Sequence, residues 1–149
     1  MKTLLVSALA LLAISTAALA KTGWDDDYEK SLAKAKEENK MVLLDFTGSD
    51  WCGWCVKLDD EVFSKSAFKK FSKEHLALVE LDFPHGKKLP KKTAEQNNAL
   101  KSKFGVSGYP TIVLLDKDGK EAARWVGYKA TLLDELKAKV DAAKTSAAK

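Results

Sequence analysis

The sequence predicts an α/β fold in three layers, with a central mixed sheet, helices on both of its faces and one helix ahead of the first strand. Short, continuously apolar runs such as MVLLDF (Met41–Phe46) are typical of strands that are covered on both faces. Segments with helical spacing separate these runs, and strands separated by helices imply parallel crossover connections. The DKDGK stretch, with Asp118 and Gly119 at its tip, indicates a hairpin that adds an antiparallel edge strand.

The elements follow in a regular order along the chain. Residues 24–39 carry apolar side chains at helical spacing, with aspartates at the start and lysines later, which predicts an amphipathic helix. The strand Met41–Phe46 and the TGSD turn come next, and we expect a helix to begin near Cys52. The remaining predicted elements are a helix over Ser66–His75, a strand over Leu76–Phe83, a polar loop Pro84–Pro90, a helix over Lys91–Phe104, strands from Thr111 and across EAARWVGY, and a last helix from Thr131 to about Ala143.

The first twenty residues predict a secretory signal peptide. Lys2 precedes an apolar run from Leu4, and the small residues around Ala18 and Ala20 are typical of a signal-peptidase site, so we expect cleavage after Ala20. The alternative is an uncleaved membrane anchor. The 17 residues from Leu4 to Ala20 include serines and a threonine, which makes them marginal for crossing about 30 Å of hydrocarbon.

The mature chain is predicted to be one exported domain, residues 21–149, with an ordered core over about residues 24–143. Removal of residues 1–20 leaves 129 of the 149 residues and lowers the net charge from +4 to +3, because only Lys2 is lost. A chain of this size can bury a core without staples. Its charges are mixed along the chain and Arg124 is the only arginine, which argues against nucleic-acid binding. We expect a monomer in the periplasm, or secreted by a bacterium, with no membrane span after cleavage.

The two cysteines, Cys52 and Cys55, form a C-x-x-C motif directly after an apolar strand. A disulfide between them would close a very small loop and contribute little stability, so a stapling purpose is disfavoured. The strand–turn–helix pattern places Cys52 at the first turn of a helix, where free N–H groups and the helix dipole favour the thiolate. Cys52 would then attack a disulfide of another protein, and Cys55 would resolve the mixed disulfide.

Other uses of the thiol pair fit the sequence less well. A zinc site needs four ligands, and His75 and His85 do not form a ligand pair at motif spacing. Handling of Cu(I) or another soft metal remains an alternative function, although no methionine flanks the pair. A redox-inert domain that binds proteins through a tryptophan-lined groove is the other alternative. We expect no metal and no other cofactor, because the dithiol is itself the redox group.

Three features together resemble the thioredoxin superfamily: WCGWC after an apolar strand, GVSGYPT about fifty residues later, and a C-terminal hairpin followed by a helix. They are most similar to the exported thioredoxin-like domains of bacteria. The resemblance covers about Met41 to Val140, and the helix over residues 24–39 fits the extra N-terminal helix of many members. It implies a thioredoxin-like fold and a thiol–disulfide oxidoreductase, with the reductase or isomerase direction preferred. Its partners would be cysteine-containing client proteins and an upstream redox protein.

The resemblance also implies roles for residues outside the cysteine pair. A cis peptide bond before Pro110 would leave the backbone of Tyr109 free to pair with an extended client segment. Asp45 would be a buried carboxyl with a raised pKa that relays a proton to or from the resolving thiol. The family pattern has one residue fewer between this carboxylate and the first cysteine, so a polar role at the strand end is the alternative for Asp45.

Trp51, Gly53 and Trp54 complete the predicted client-binding surface. Trp54 brings no positive charge to the cysteine sulfur, which favours a reductase or isomerase over a strong oxidant. We expect Trp54 at the rim of an apolar patch, whereas Trp51 lies either at the rim or folded back into the core. The loop Pro84–Pro90 follows the carboxyl end of a strand, where sites of α/β proteins gather, and is expected beside the thiols.

Overall fold

A computed structural model describes residues 21–147, and the predicted signal peptide lies outside the described residues. Within residues 21–147, no helix is both long enough and apolar enough to cross a membrane. The elements in chain order are α1 (Tyr28–Glu37), β1 (Met41–Thr47), α2 (Gly53–Leu58), a π-helical segment (Asp59–Phe63), α3 (Ser66–His75), β2 (Leu76–Asp82), α4 (Lys91–Lys103), β3 (Thr111–Leu115), β4 (Glu121–Val126) and α5 (Leu132–Ala147).

The described strands form one mixed sheet in the order β2-β1-β3-β4. β1 is parallel to β2, and β3 is antiparallel to both β1 and β4, which confirms the predicted hairpin. The prediction that the third strand is parallel to the first two is wrong. Asp82 lies opposite Thr47 and Thr111 lies opposite Phe46, so the chain leaves β2 and enters β3 at the same end of the sheet. The loop and α4 therefore return the chain to that end and make no parallel crossover.

Helices cover both faces of the sheet, as predicted. The pleat of β1 sends Leu43 to one face and Val42, Leu44 and Phe46 to the other. The face that Leu43 points to is called the α2 face, and it is covered by α2, the π-helical segment, α3 and α5. The covering side chains are Leu58, Val62, Phe63, Phe68, Leu132, Leu136 and Val140. The opposite face is covered by α1, α4 and the chain after α4, through Tyr28, Ala35, Leu100, Phe104 and Val106. Asp45 shares the pleat direction of Leu43 and therefore points to the α2 face.

The first and last helices differ in extent from the prediction. α1 begins at Tyr28, not at Trp24, because the Asp27 carboxylate caps the helix by accepting the backbone N–H of Lys30 at 3.0 Å. The residues before Tyr28 run beside β2 instead. α5 continues to Ala147, a few residues past its predicted end.

Candidate active site

The turn between β1 and α2 places both cysteines at the carboxyl end of β1. Cys52 and Cys55 form a disulfide with a Cα–Cα distance of 5.2 Å. Cys52 is the N-cap of α2, which confirms the predicted helix start, and its Sγ accepts the backbone N–H of Cys55 at 3.3 Å. A sulfur therefore occupies the place that a serine or aspartate oxygen takes at other helix starts. A thiolate on Cys52 would meet the same N–H group and the positive end of the helix.

The two cysteines differ in their neighbours along the chain. Both are buried in the disulfide form, with 6% of Cys52 and 5% of Cys55 exposed. Cys52 lies between exposed Trp51 and exposed Gly53, whereas Leu58, one turn beyond Cys55, is only 1% exposed. Gly53 has no atom within 4 Å of the position that a Cβ would occupy. The open side of the site is therefore the turn that carries Cys52.

The segment before β3 packs beside this turn. The Tyr109–Pro110 peptide bond is cis, as the resemblance implies. Pro110 is buried, and its carbonyl accepts the backbone N–H of Gly127 at 2.8 Å. The ring of Tyr109 meets the Trp51 indole edge-on, with 5.6 Å between the ring centroids. Tyr109 thus lies next to the cysteine turn, and Pro110 follows it directly.

Asp45 is buried in the middle of β1, with 4% of the residue exposed. Burial raises the pKa of its carboxyl to about 7. The Lys21 ammonium opposes that rise in pKa, and three nearby carboxylates add to it, those of Glu80, Asp59 and Asp82. A buried carboxyl with a raised pKa is therefore present on the α2 face. Its exchange of a proton with Cys55 stays a prediction.

Trp51 lies at the surface and not in the core, which decides between its two predicted positions. It is 43% exposed, and its indole N–H donates to the carbonyl of Phe83 at 2.8 Å. The indole stacks on the His85 ring, with 4.5 Å between centroids and 7° between planes. It folds so closely over Gly48 that a Cβ there would lie 2.6 Å from Trp51 Nε1. The turn therefore needs a glycine at this position.

Trp54 is an exposed rim residue, as expected, with 59% of the residue exposed. Its ring lies 5.8 Å from the ring of half-buried Tyr128. The Lys57 ammonium lies 5.4 Å from the Trp54 ring centroid and 4.8 Å from that of Tyr128. The Tyr128 hydroxyl donates to the Glu61 carboxylate. These contacts hold an aromatic pair beside the disulfide, with a cation against both rings.

Asp50, which no motif in the sequence marks, connects the loop Pro84–Pro90 to the cysteine turn through hydrogen bonds. Its carboxylate accepts the backbone N–H groups of His85 at 2.9 Å and of Gly86 at 2.6 Å. These hydrogen bonds lower the pKa of Asp50, with that from His85 contributing most. The signal available in the sequence was the extra residue in the Thr47–Asp50 turn, which contains this carboxylate.

The loop also forms one wall of a groove beside the site, as its position in the sequence suggested. The groove has a volume of about 450 Å³ and lies between the loop, α4 and the cysteine turn. Its apolar walls include Trp51, Phe83 and Tyr109. The Lys101 ammonium lies 5.5 Å from the Phe83 ring centroid and 5.3 Å from that of Tyr109. The groove is therefore aromatic with a positive charge at its side.

Comparisons with known proteins point to one family. A family model described as a thioredoxin-like domain matches residues 28–144. The disulfide bond reductase DsbH of Chlamydia pneumoniae is 40% identical over 107 residues, which are 72% of this chain and 64% of that protein. The thioredoxin-related protein DsbJ of the same organism is 35% identical over 101 residues, which are 68% of this chain and 29% of DsbJ. The chain thus spans less than two thirds of the length of these two relatives.

Solved structures agree with the family match. A structure described as DsbH oxidoreductase superposes with a TM-score of 0.73 and 34% identity, covering 91% of this chain and 95% of its own. A poplar thioredoxin h superposes with a TM-score of 0.59 and 20% identity, covering 79% of this chain and 95% of its own. The second similarity concerns the fold alone.

Proposed function

The chain belongs to the thioredoxin-like family, and from this premise we propose that it is a thiol–disulfide oxidoreductase that acts on cysteines of other proteins. The observation that carries the proposal is the Cys52 sulfur at the start of α2, where it accepts the Cys55 N–H. The similarity to DsbH, a protein named for disulfide bond reduction, favours the reductase direction.

The reaction in this direction consists of two exchanges at sulfur. The Cys52 thiolate, stabilised by the N–H groups and dipole of the helix start, attacks one sulfur of a client disulfide. A mixed disulfide forms and one client thiolate leaves. Cys55 then attacks the Cys52 sulfur, the Cys52–Cys55 disulfide forms and the second client thiolate leaves. The client gains two electrons and the dithiol loses two, so another redox protein has to reduce the site again.

Asp45 is the proton acceptor in the second exchange. Cys55 has to lose its proton to become a nucleophile, and a carboxyl with a pKa of about 7 can accept or return a proton near neutral pH. The direction of the Asp45 side chain, toward the face that α2 covers, supports this role.

The client is expected to lie across the exposed aromatic residues around the disulfide. An extended client segment would pair with the backbone of Tyr109, since Pro110 has no N–H that competes for the same partner. Trp51 and Trp54 would contact its apolar side chains on either side of Gly53. Export by the predicted signal peptide would bring the protein to clients and redox partners outside the cytoplasm.

Two cysteine variants test the function. Cys55→Ser leaves the attacking thiol but removes the resolving one, so it should accumulate disulfide-linked client adducts on non-reducing gels. Cys52→Ser, its matched control, should form none and should lose reduction of a protein disulfide such as those of insulin. Adducts that form through Cys55, or full activity of Cys52→Ser, would contradict the proposal.

An equilibrium with glutathione tests the direction. The oxidised and reduced forms are separated after incubation in defined glutathione buffers, and 30 mV of difference in potential corresponds to about 1.4 kcal/mol. A reductase should have a potential below that of the glutathione couple. A potential above it would assign the opposite direction.

A further inference from the structure

Lys21 is far from the cysteines in sequence but contacts the π-helical segment that follows α2. Its ammonium is 4.6 Å from the ring centroids of both Trp24 and Phe63 and forms an ion pair with Asp59. Only 22% of the Lys21 side chain is exposed. Two aromatic rings and a carboxylate all attract an ammonium, so these contacts fix the position of this charge.

The segment before α1 holds Lys21 at this place. The carbonyl of Lys21 accepts the backbone N–H of Trp24 at 2.8 Å. The N–H of Asp25 then donates to the carbonyl of Leu78, and the N–H of Glu80 donates to the carbonyl of Asp25, both at 2.9 Å. The segment is thereby attached to β2, and Trp24 is buried with 6% of the residue exposed. Lys21 thus belongs to a segment that is held against β2.

Lys21 faces a group of carboxylates around Asp45. Asp45 and Glu80 are direct partners across β1 and β2, so their side chains lie next to each other on the α2 face. Burial also raises the pKa of Glu80. Asp59 lies one turn beyond Cys55, and its buried Oδ1 faces the Lys21 ammonium. The charges with the largest effects on the pKa of Asp45 are the Lys21 ammonium, which lowers it, and the Glu80, Asp59 and Asp82 carboxylates, which raise it.

We infer that Lys21 is a positioning residue of the redox site, because its ammonium keeps the buried Asp45 carboxyl able to ionise while that carboxyl exchanges a proton with Cys55. The inference rests on the role proposed for Asp45. Without Lys21, the largest charge effects on Asp45 would come from Glu80, Asp59 and Asp82, of which Asp82 is also paired with the Lys87 ammonium at 3.1 Å. Like charges disfavour ionisation.

The step that depends on Lys21 is the resolution of the mixed disulfide. The S–H bond of Cys55 breaks and its proton passes to ionised Asp45. The Cys55 sulfur bonds to Cys52, and the client thiolate leaves with the electron pair of the broken S–S bond. With a pKa of about 7, half of the Asp45 carboxyls are ionised at pH 7. A nearby opposite charge shifts the pKa of an aspartate by about 1 to 3 units, and a rise of about one unit would leave about a tenth ionised.

Three variants test the inference. Lys21→Met removes the charge but keeps an unbranched apolar side chain against Trp24 and Phe63. Lys21→Arg keeps the charge and serves as the conservative rescue. Lys73→Met is the matched control, because it removes an exposed lysine of α3 that lines the same cavity as Lys21 but does not act on the carboxylate group.

The first readout is the pKa of Asp45, measured by carboxyl ¹³C NMR on the oxidised full chain after export, with Asp45→Asn identifying the resonance. Lys21→Met should raise this pKa by about one unit. Lys21→Arg and Lys73→Met should leave it near that of the wild type. An unchanged pKa in Lys21→Met, or an equal rise in Lys73→Met, would overturn the inference. If Lys21→Met does not fold, Lys21→Gln is measured in its place.

The second readout is the rate of resolution of a preformed mixed disulfide between Cys52 and a client peptide, followed from pH 5 to 9. Lys21→Met should slow resolution about fivefold at pH 7 and move the midpoint of the pH profile upward by the shift seen in NMR. A shifted pKa of Asp45 with an unchanged rate would limit Lys21 to a structural role and refute the inference. Failure of the wild type to reduce any client would refute the proposed function instead. The NMR result would still show whether Lys21 changes the pKa of Asp45.

Discussion

Replacement of Asp45 by asparagine should make stability less dependent on pH. Asp45 is 4% exposed, and burial raises the pKa of its carboxyl from 3.8 to about 7 in the folded protein. Because the folded pKa is higher than the unfolded one, folding favours the protonated form. The free energy of unfolding of the wild type therefore falls as the pH rises from about 4 to about 7, and changes little through this group above that range.

The magnitude follows from the size of the pKa shift. A rise from 3.8 to about 7 is about three units, and at 1.36 kcal/mol per unit it corresponds to about 4 kcal/mol. Asparagine has nearly the same shape and does not titrate. The free energy of unfolding of Asp45→Asn, relative to the wild type, should therefore increase by about 2 to 4 kcal/mol between pH 4 and pH 8.

Urea unfolding of the oxidised proteins, followed by tryptophan fluorescence at several pH values from 4 to 8, measures this change. Asp141→Asn, which neutralises an exposed carboxylate of α5, is the control and should show no comparable trend. The comparison between two pH values cancels the cost of burying the asparagine amide. A stability difference that is the same at pH 4 and pH 8 would show that folding does not raise the pKa of Asp45, and would refute the reasoning.

Two further changes test the surroundings of the site. Asp50→Ala removes the acceptor for the N–H groups of His85 and Gly86, so hydrogen exchange at these two amides should accelerate about tenfold or more, as expected for loss of hydrogen bonds to a charged group. Unchanged exchange there would mean that other contacts hold the loop. Leu58 is 1% exposed and lies one turn beyond Cys55, so Leu58→Ala leaves a cavity in the core. It should lower the free energy of unfolding by about 2 to 5 kcal/mol in chemical denaturation. A loss below about 1 kcal/mol would contradict the packing described for α2.

The sequence was sufficient to predict the family, the layered fold and the place of most elements. Apolar runs and helical spacing are local patterns, and they located β1 and α2 because burial imposes those patterns directly. Strand direction is not local. The chain between β2 and β3 returns to the end of the sheet that it left, and no periodicity of residues encodes that return. The start of α1 was predicted too early, because the Asp27 side chain caps the helix at its N-terminus. Helical spacing alone would begin the helix at Trp24.

The positions of the candidate site residues were predictable where short sequence motifs indicate them. The positions of Cys52 and Cys55 follow from the C-x-x-C motif, and the cis bond before Pro110 follows from the resemblance to a known family. The exposed position of Trp54 follows from its place between the cysteines. The contacts of Lys21 and Asp50 were missed because they join distant parts of the chain. A lysine before the first helix and an aspartate in a turn both resemble ordinary surface residues until the fold brings them to Asp59 and to the backbone of the loop Pro84–Pro90.

The N–H groups and the dipole at the start of α2 should make Cys52 an unusually acidic thiol. Alkylation of the fully reduced protein with iodoacetamide across pH 4 to 10, with each cysteine quantified by mass spectrometry of its peptide, measures this acidity directly. Cys52 should react first, because the helix start favours its thiolate. An acidity of Cys52 near that of free cysteine, or faster alkylation of Cys55 than of Cys52, would contradict the account.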